Sequence, residues 1–147
     1  MKYDKILIVA DDSPSSLKAV RYGYDLAAQL NAKIALIGVV ENALAEGNVD
    51  AGIFPEQAEH HLKKTIEGFL HKMEQDYSNG VDTEIFAPEG EVKDMVLKMA
   101  REWDAKLIVA GTHGRKGLNR LLMGSMAEGV LRDSKVPVFI VPIDSGD

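Results

Sequence analysis

Four short apolar runs decide what this chain can become. Lys5 to Ala10, Lys33 to Val40, Leu107 to Ala110 and Val138 to Val141 are dominated by Ile, Leu, Val and Ala, with no alternation of polar residues. Continuous runs of this length, rich in β-branched residues, read as strands buried on both faces, as parallel sheets require. The segments between them carry apolar residues at helical spacing. Leu17, Val20, Tyr24, Ala27 and Ala28 share one face of a helix that Ser13 caps, Pro14 opens and Asn31 stops. A second helix is predicted from Glu56 to about Ser78, with Ala58, Leu62, Ile66, Phe69, Leu70, Met73 and Tyr77 as its stripe and Asn79-Gly80 as its end. A third runs from Gly90 to Trp103 and buries Val92, Met95, Val96, Met99 and Trp103. Residues Val81 to Ala87 alternate, as a half-exposed edge strand should. The order βαβ, βα, βα, β with right-handed crossovers defines an α/β fold, an open parallel sheet with helices on both faces. With no repeat or linker in 147 residues, one domain over 1–147 is expected.

Chemistry concentrates after the Leu107 run, in Gly111-Thr-His113-Gly114-Arg115-Lys-Gly-Leu-Asn-Arg-Leu-Leu-Met-Gly124-Ser125. Ser125 and Glu128 read as a capping box that opens a helix through Met126, Ala127, Val130 and Leu131. Strand, glycine-punctuated loop and helix N-terminus together aim backbone N–H groups and a helix dipole at the loop, and an anion suits both. No Asp or Glu occurs from Ala105 to Ala127, a stretch holding Lys106, Arg115, Lys116 and Arg120 in a chain of net charge −6. The loop therefore reads as a phosphate cradle whose glycines let backbone approach the ligand. The alternative is a set of tight turns and a helix cap. Neither G-x-x-x-x-G-K-[ST] nor a post-strand G-x-G-x-x-G is present.

The spacing of Gly111, Gly114, Gly124 and Ser125 resembles the signature of the universal stress protein family, specifically its ATP-binding branch. The resemblance extends from the opening Lys5-Ile-Leu-Ile-Val-Ala-Asp11-Asp-Ser13 to the closing Val136-Pro-Val-Phe-Ile-Val-Pro142. It implies a five-stranded sheet of order 3-2-1-4-5, with the topological switch between the first and fourth strands. Ligands of such sheets bind outside the carboxyl ends at that switch, where Asp11 and Gly111 stand. The resemblance further implies that Gly111, His113, Gly114, Arg115, Gly124, Ser125, Met126 and Ala127 line the triphosphate and ribose of ATP. Ala10 and Asp11 would meet the nucleoside end, and the Val39 backbone would read adenine. Asp11 as a plain helix or turn cap is the structural alternative. Asp12 replaces a frequent family glycine with a second carboxylate, which either repels phosphate or helps hold Mg²⁺; the magnesium role is the expectation.

His113 has no base-orienting partner visible in the sequence, and His60, His61 and His71 fall on a helix among Glu and Lys, so no catalytic residue is assigned. Met95, Met99, Met123 and Met126 read as core fillers. Residues 41–55 keep no clear period and form either a surface loop or a lid over the site. The acidic balance argues against nucleic acid, and no apolar stretch approaches a bilayer span. The absence of cysteine fits a reducing compartment. The expectation is a cytoplasmic, nucleotide-loaded switch or sensor of the stress response. A slow ATPase, an adenylyl-transferring relative and a non-nucleotide interaction module are the rivals. The last strand, at a sheet edge with no charge on either face, is expected to pair with a second copy.

Overall fold

The computed structural model describes residues 1–41, 55–112 and 123–142. Its elements alternate as β1 (Lys5–Val9), α1 (Pro14–Leu30), β2 (Lys33–Ile37), α2 (Pro55–Tyr77), β3 (Thr83–Phe86), α3 (Val92–Trp103), β4 (Leu107–Gly111), α4 (Ser125–Asp133) and β5 (Val138–Val141). The strands form one parallel sheet in the order β3-β2-β1-β4-β5. The 3-2-1-4-5 order is therefore the observed one, and the apolar runs of β1, β2 and β4 fill its centre.

Alternation along each strand divides the core. Ile6 and Ile8 of β1 face the layer where Ala19, Val20, Tyr24 and Ala27 of α1 pack with Leu70 and Met73 of α2. Leu7 and Val9 face the opposite layer, against Val96, Ala100 and Trp103 of α3 and Val130 of α4. Ser13 caps α1 by accepting from the Ser16 N–H, Pro14 is its first residue, and Asn31 closes it in the left-handed conformation. Asn79 and Gly80 follow α2, both with positive φ.

Several expectations shift. β2 stops at Ile37, and the chain rejoins the sheet only as a bridge from Val40 to Glu89. α3 begins at Val92 because the Glu91 carboxylate caps it, accepting from the Lys93 and Asp94 N–H groups. Ala100 is buried in α3, where Val92, Met95 and Met99 are only half-buried; Ala28 of α1 is exposed.

The amino end of the sheet is held by polar bonds around Trp103. The Lys5 ammonium donates to the Trp103 carbonyl at 2.7 Å and lies 4.8 Å from the ring centroid. The indole N–H donates to Glu84 of β3 at 2.7 Å, and Phe86 meets the ring edge-on. No described helix is long and apolar enough to cross a membrane.

Candidate functional site

Because β2 and β4 leave β1 in opposite directions, a crevice opens beyond the carboxyl ends of β1 and β4. The described residues reach it from four directions: Ala10, Asp11 and Asp12 after β1, Val39 after β2, Gly111 and Thr112 ending β4, and Gly124 to Ala127 opening α4.

Ala10 is buried, and its N–H donates to the Ile37 carbonyl at 2.9 Å, the last rung of the β1–β2 ladder. Asp11 is half-buried. Its Oδ1 accepts the Ser13 N–H at 2.8 Å, and its own N–H donates to Ser16 Oγ at 2.6 Å. The turn-capping alternative is thus real, but it uses one carboxylate oxygen and leaves Oδ2 for another donor. Asp12 is exposed beside it.

Val39 lies between two residues tied to the β3 side. The Gly38 N–H donates to Phe86, the Val40 N–H to Pro88, and the Val40 carbonyl accepts from Gly90. By the alternation of an extended chain, the Val39 N–H and C=O face the other way, toward the end of β1. Among the described residues nothing bonds to them. A donor and an acceptor side by side at the rim is what a flat heterocycle with complementary edge groups requires.

Gly111 has a packing role of its own. A Cβ there would lie 2.7 Å from the Ser15 carbonyl oxygen and 2.8 Å from its carbon. The first turn of α1 rests directly on the end of β4, so the missing side chain serves helix–strand packing.

Gly124 is buried, and its N–H donates to the Thr112 carbonyl at 2.7 Å, joining the start of α4 to the end of β4. That bond corrects the capping box. Gly124 is the N-cap of α4, among the described residues no side chain caps the helix, and Ser125 is its first helical residue. The first internal bond runs from the Glu128 N–H to the Gly124 carbonyl. The N–H groups of Ser125, Met126 and Ala127 therefore lie in the uncapped first turn, at the positive end of the helix dipole. Ser125 is exposed, Met126 half-buried and Ala127 buried. His113, Gly114 and Arg115, with Lys116 and Arg120, lie outside the described residues, as does the segment 42–54 read as a surface loop or a lid. Lys106 does not belong to the site: it opens β4 at the opposite end of the sheet and bonds Asp104 at 3.0 Å.

Sequence reading missed the two serines in the first turn of α1. Ser15 and Ser16 are both buried, Ser15 against Gly111 and Ser16 against Asp11. The signal was available: serines inside a first helical turn compete with the backbone for hydrogen bonds and so mark local bonding. At the rim beside Val40, the Glu89 carboxyl is pushed up from its ordinary value chiefly by a hydrogen bond to Glu59 of α2.

The five parallel strands in the order 3-2-1-4-5, with helices on both faces and the start of α4 at the topological switch, define a doubly wound α/β protein, a class whose ligands bind at the carboxyl ends of the strands. The model of the universal stress protein family matches residues 2–142, and the chain belongs to that family. A universal stress protein of Methanocaldococcus jannaschii is 32% identical over 146 residues, 95% of this chain and 82% of its own. Among solved structures, the universal stress protein UspA from Lactobacillus plantarum superposes with a TM-score of 0.81 at 18% identity, over 96% of this chain and 99% of its own. A universal stress protein solved in complex with cAMP matches with a TM-score of 0.68 at 26% identity, over 97% and 98% of the two chains.

Proposed function

We propose that this chain is an ATP-binding universal stress protein, a single nucleotide-binding domain that acts in the cytoplasm as a switch or sensor of the stress response. The observation that carries the reading is the uncapped N-terminus of α4, drawn to the end of β4 by the Gly124 to Thr112 bond. Phosphate oxygens suit the N–H groups of Ser125, Met126 and Ala127. The Val39 N–H and C=O match the acceptor and donor on one edge of adenine, and Asp11 Oδ2 suits a sugar hydroxyl. The cAMP complex of a relative at 26% identity supports a nucleotide as ligand class.

Magnesium fits the same donor set. It takes one or two carboxylates, with phosphate and water completing its shell, and Asp12 is exposed beside the crevice. When bound it would neutralise phosphate charge. Asp12 would hold it, and Asp11 and Val39 would orient the nucleoside. The reading includes a homodimer through β5. Leu131 and Phe139, 48% and 43% exposed, flank that edge on α4 and β5.

Calorimetry with ATP, adenosine and inorganic triphosphate, with and without Mg²⁺, tests the site. ATP binds well above adenosine, and Asp11→Ala lowers ATP affinity while sparing triphosphate. Asp12→Gly reduces the magnesium dependence. Equal affinity for adenosine and ATP refutes the phosphate cradle.

A further inference from the structure

Where β1 ends, its hydrogen bonding is taken over by a side chain. The Ala10 N–H still points to β2 and donates to Ile37. By alternation the next N–H, that of Asp11, turns toward β4. No β4 carbonyl meets it. Ser16 Oγ does, at 2.6 Å, from the first turn of α1. The Ser16 N–H donates to Ser13 Oγ at 3.1 Å, and the Ser13 N–H donates to Asp11 Oδ1 at 2.8 Å. Asp11, Ser13 and Ser16 thus close a ring of three hydrogen bonds. Ser16 is 4% exposed, and its hydroxyl also faces the Val9 carbonyl at 3.4 Å. The ring fixes both the backbone and one carboxylate oxygen of Asp11 at the switch point of the sheet.

We propose that Ser16 is the positioning residue that sets Asp11 for the nucleoside half of the ligand, so that preference for a nucleotide over a bare polyphosphate depends on a hydroxyl that never touches the nucleotide. This rests on the ATP reading above. The physical reason is preorganisation. A half-buried carboxylate held at one oxygen, on a backbone that is itself held, loses little freedom when a sugar hydroxyl binds it, whereas an untethered one must be ordered during binding. With Ser16 removed, the Asp11 N–H loses its acceptor, and the turn relaxes to find another. The carboxylate then moves, while α4 and its N–H groups stay where they are.

The test compares wild type, Asp11→Ala, Ser16→Ala and the double variant, each titrated with ATP and with inorganic triphosphate. Ser16→Ala is expected to weaken ATP about tenfold, the scale of one lost hydrogen bond, and to leave triphosphate unchanged. The double variant should lose no more than Asp11→Ala alone, because the two residues act as one unit. Tyr24→Phe, which removes the remote Tyr24 to Thr83 bond of 2.9 Å, should lower stability without changing either affinity. If Ser16→Ala does not fold, Ser16→Cys, with a weaker donor and acceptor, carries the same comparison. In the ligand-free wild type the Asp11 amide should exchange slowly. Equal losses for ATP and triphosphate, additive losses in the double variant, or a fast-exchanging Asp11 amide would overturn the proposal. A wild type that binds no ATP overturns the nucleotide reading itself. If ATP binds and Asp11→Ala loses it while Ser16→Ala keeps it, the positioning role alone fails.

Discussion

Replacing Gly111 with alanine would set a methyl group 2.7 Å from the Ser15 carbonyl oxygen and 2.8 Å from its carbonyl carbon, against about 3.4 Å for an ordinary contact. Both atoms are backbone, so no rotamer change relieves the clash, and the first turn of α1 must move off β4. Overpacking of this kind costs typically 1–3 kcal/mol. For a chain of this size, about 2 kcal/mol lowers Tm by roughly 4–8 °C. Gly38 supplies the contrast. A Cβ there would meet the Ile66 Cγ2 at 2.8 Å, a side-chain methyl of a partly buried residue rather than backbone. Gly38→Ala should therefore cost less. Thermal unfolding followed by far-ultraviolet circular dichroism, paired with triphosphate titration, separates the two accounts of Gly111. Packing predicts lower Tm and, through displaced Ser16 and Asp11, weaker ATP binding with triphosphate largely kept. An unchanged Tm with triphosphate binding lost would refute the packing account and leave Gly111 as a point of phosphate approach alone.

Burial pushes the Tyr24 phenol up to about 12, the bond to Thr83 opposing that shift only in part. Its stabilising contribution is full below the unfolded value near 10 and is lost as pH rises toward 12. Spectrophotometric titration should show one of four phenols ionising late, and Tyr24→Phe should remove that step. The Glu89 carboxyl, raised by its bond to Glu59, stabilises the rim at low pH and loses that contribution as pH climbs through the raised value. Glu59→Gln, which keeps a donor at all pH, should flatten this part of a Tm-against-pH curve; an unaltered curve contradicts the shared proton. Along β5 the Pro137 and Val141 carbonyls accept from β4, so by period two Phe139 bonds inward and the Ile140 N–H points outward. Ile140→Pro should give a folded monomer in sedimentation and Phe139→Pro a damaged fold; a folded dimer from both variants places the subunit contact elsewhere.

The fold was legible because its signals are local. The continuous apolar runs of β1, β2 and β4 read as central strands, and Pro14, Asn31 and Asn79-Gly80 marked helix boundaries through backbone preferences that act within a few residues. The placement of the candidate site was legible where it follows from chain position: Asp11 follows β1, Gly124 precedes α4, and Val39 leaves β2. What stayed hidden depends on contacts between distant segments. The capping box failed because the Thr112 carbonyl draws the Gly124 N–H, which fixes Gly124 as the half-helical residue and moves Ser125 inside. The packing of Gly111 against Ser15 stayed hidden because nothing near it in sequence announces that contact. Lys106 counted toward a basic site although its strand carries it to the far end of the sheet, where Asp104 binds it.

Trp103 gives the molecule a built-in spectroscopic division of labour. It is the chain's sole tryptophan, 8% exposed, with its N–H on Glu84 and an ammonium over its ring. Those contacts join α3 to the beginnings of β1 and β3, roughly 16 Å of strand away from the crevice. Unfolding strips away the carboxylate, the cation and the apolar shell together, so emission should shift sharply to the red in a single step. A ligand settling at the carboxyl ends lies far from the carboxylate and the cation, and only Phe86, the last residue of β3, connects the ring to that end. Indole fluorescence is thus first a reporter of global integrity, and a variant that alters binding without altering emission has left the protein's frame intact.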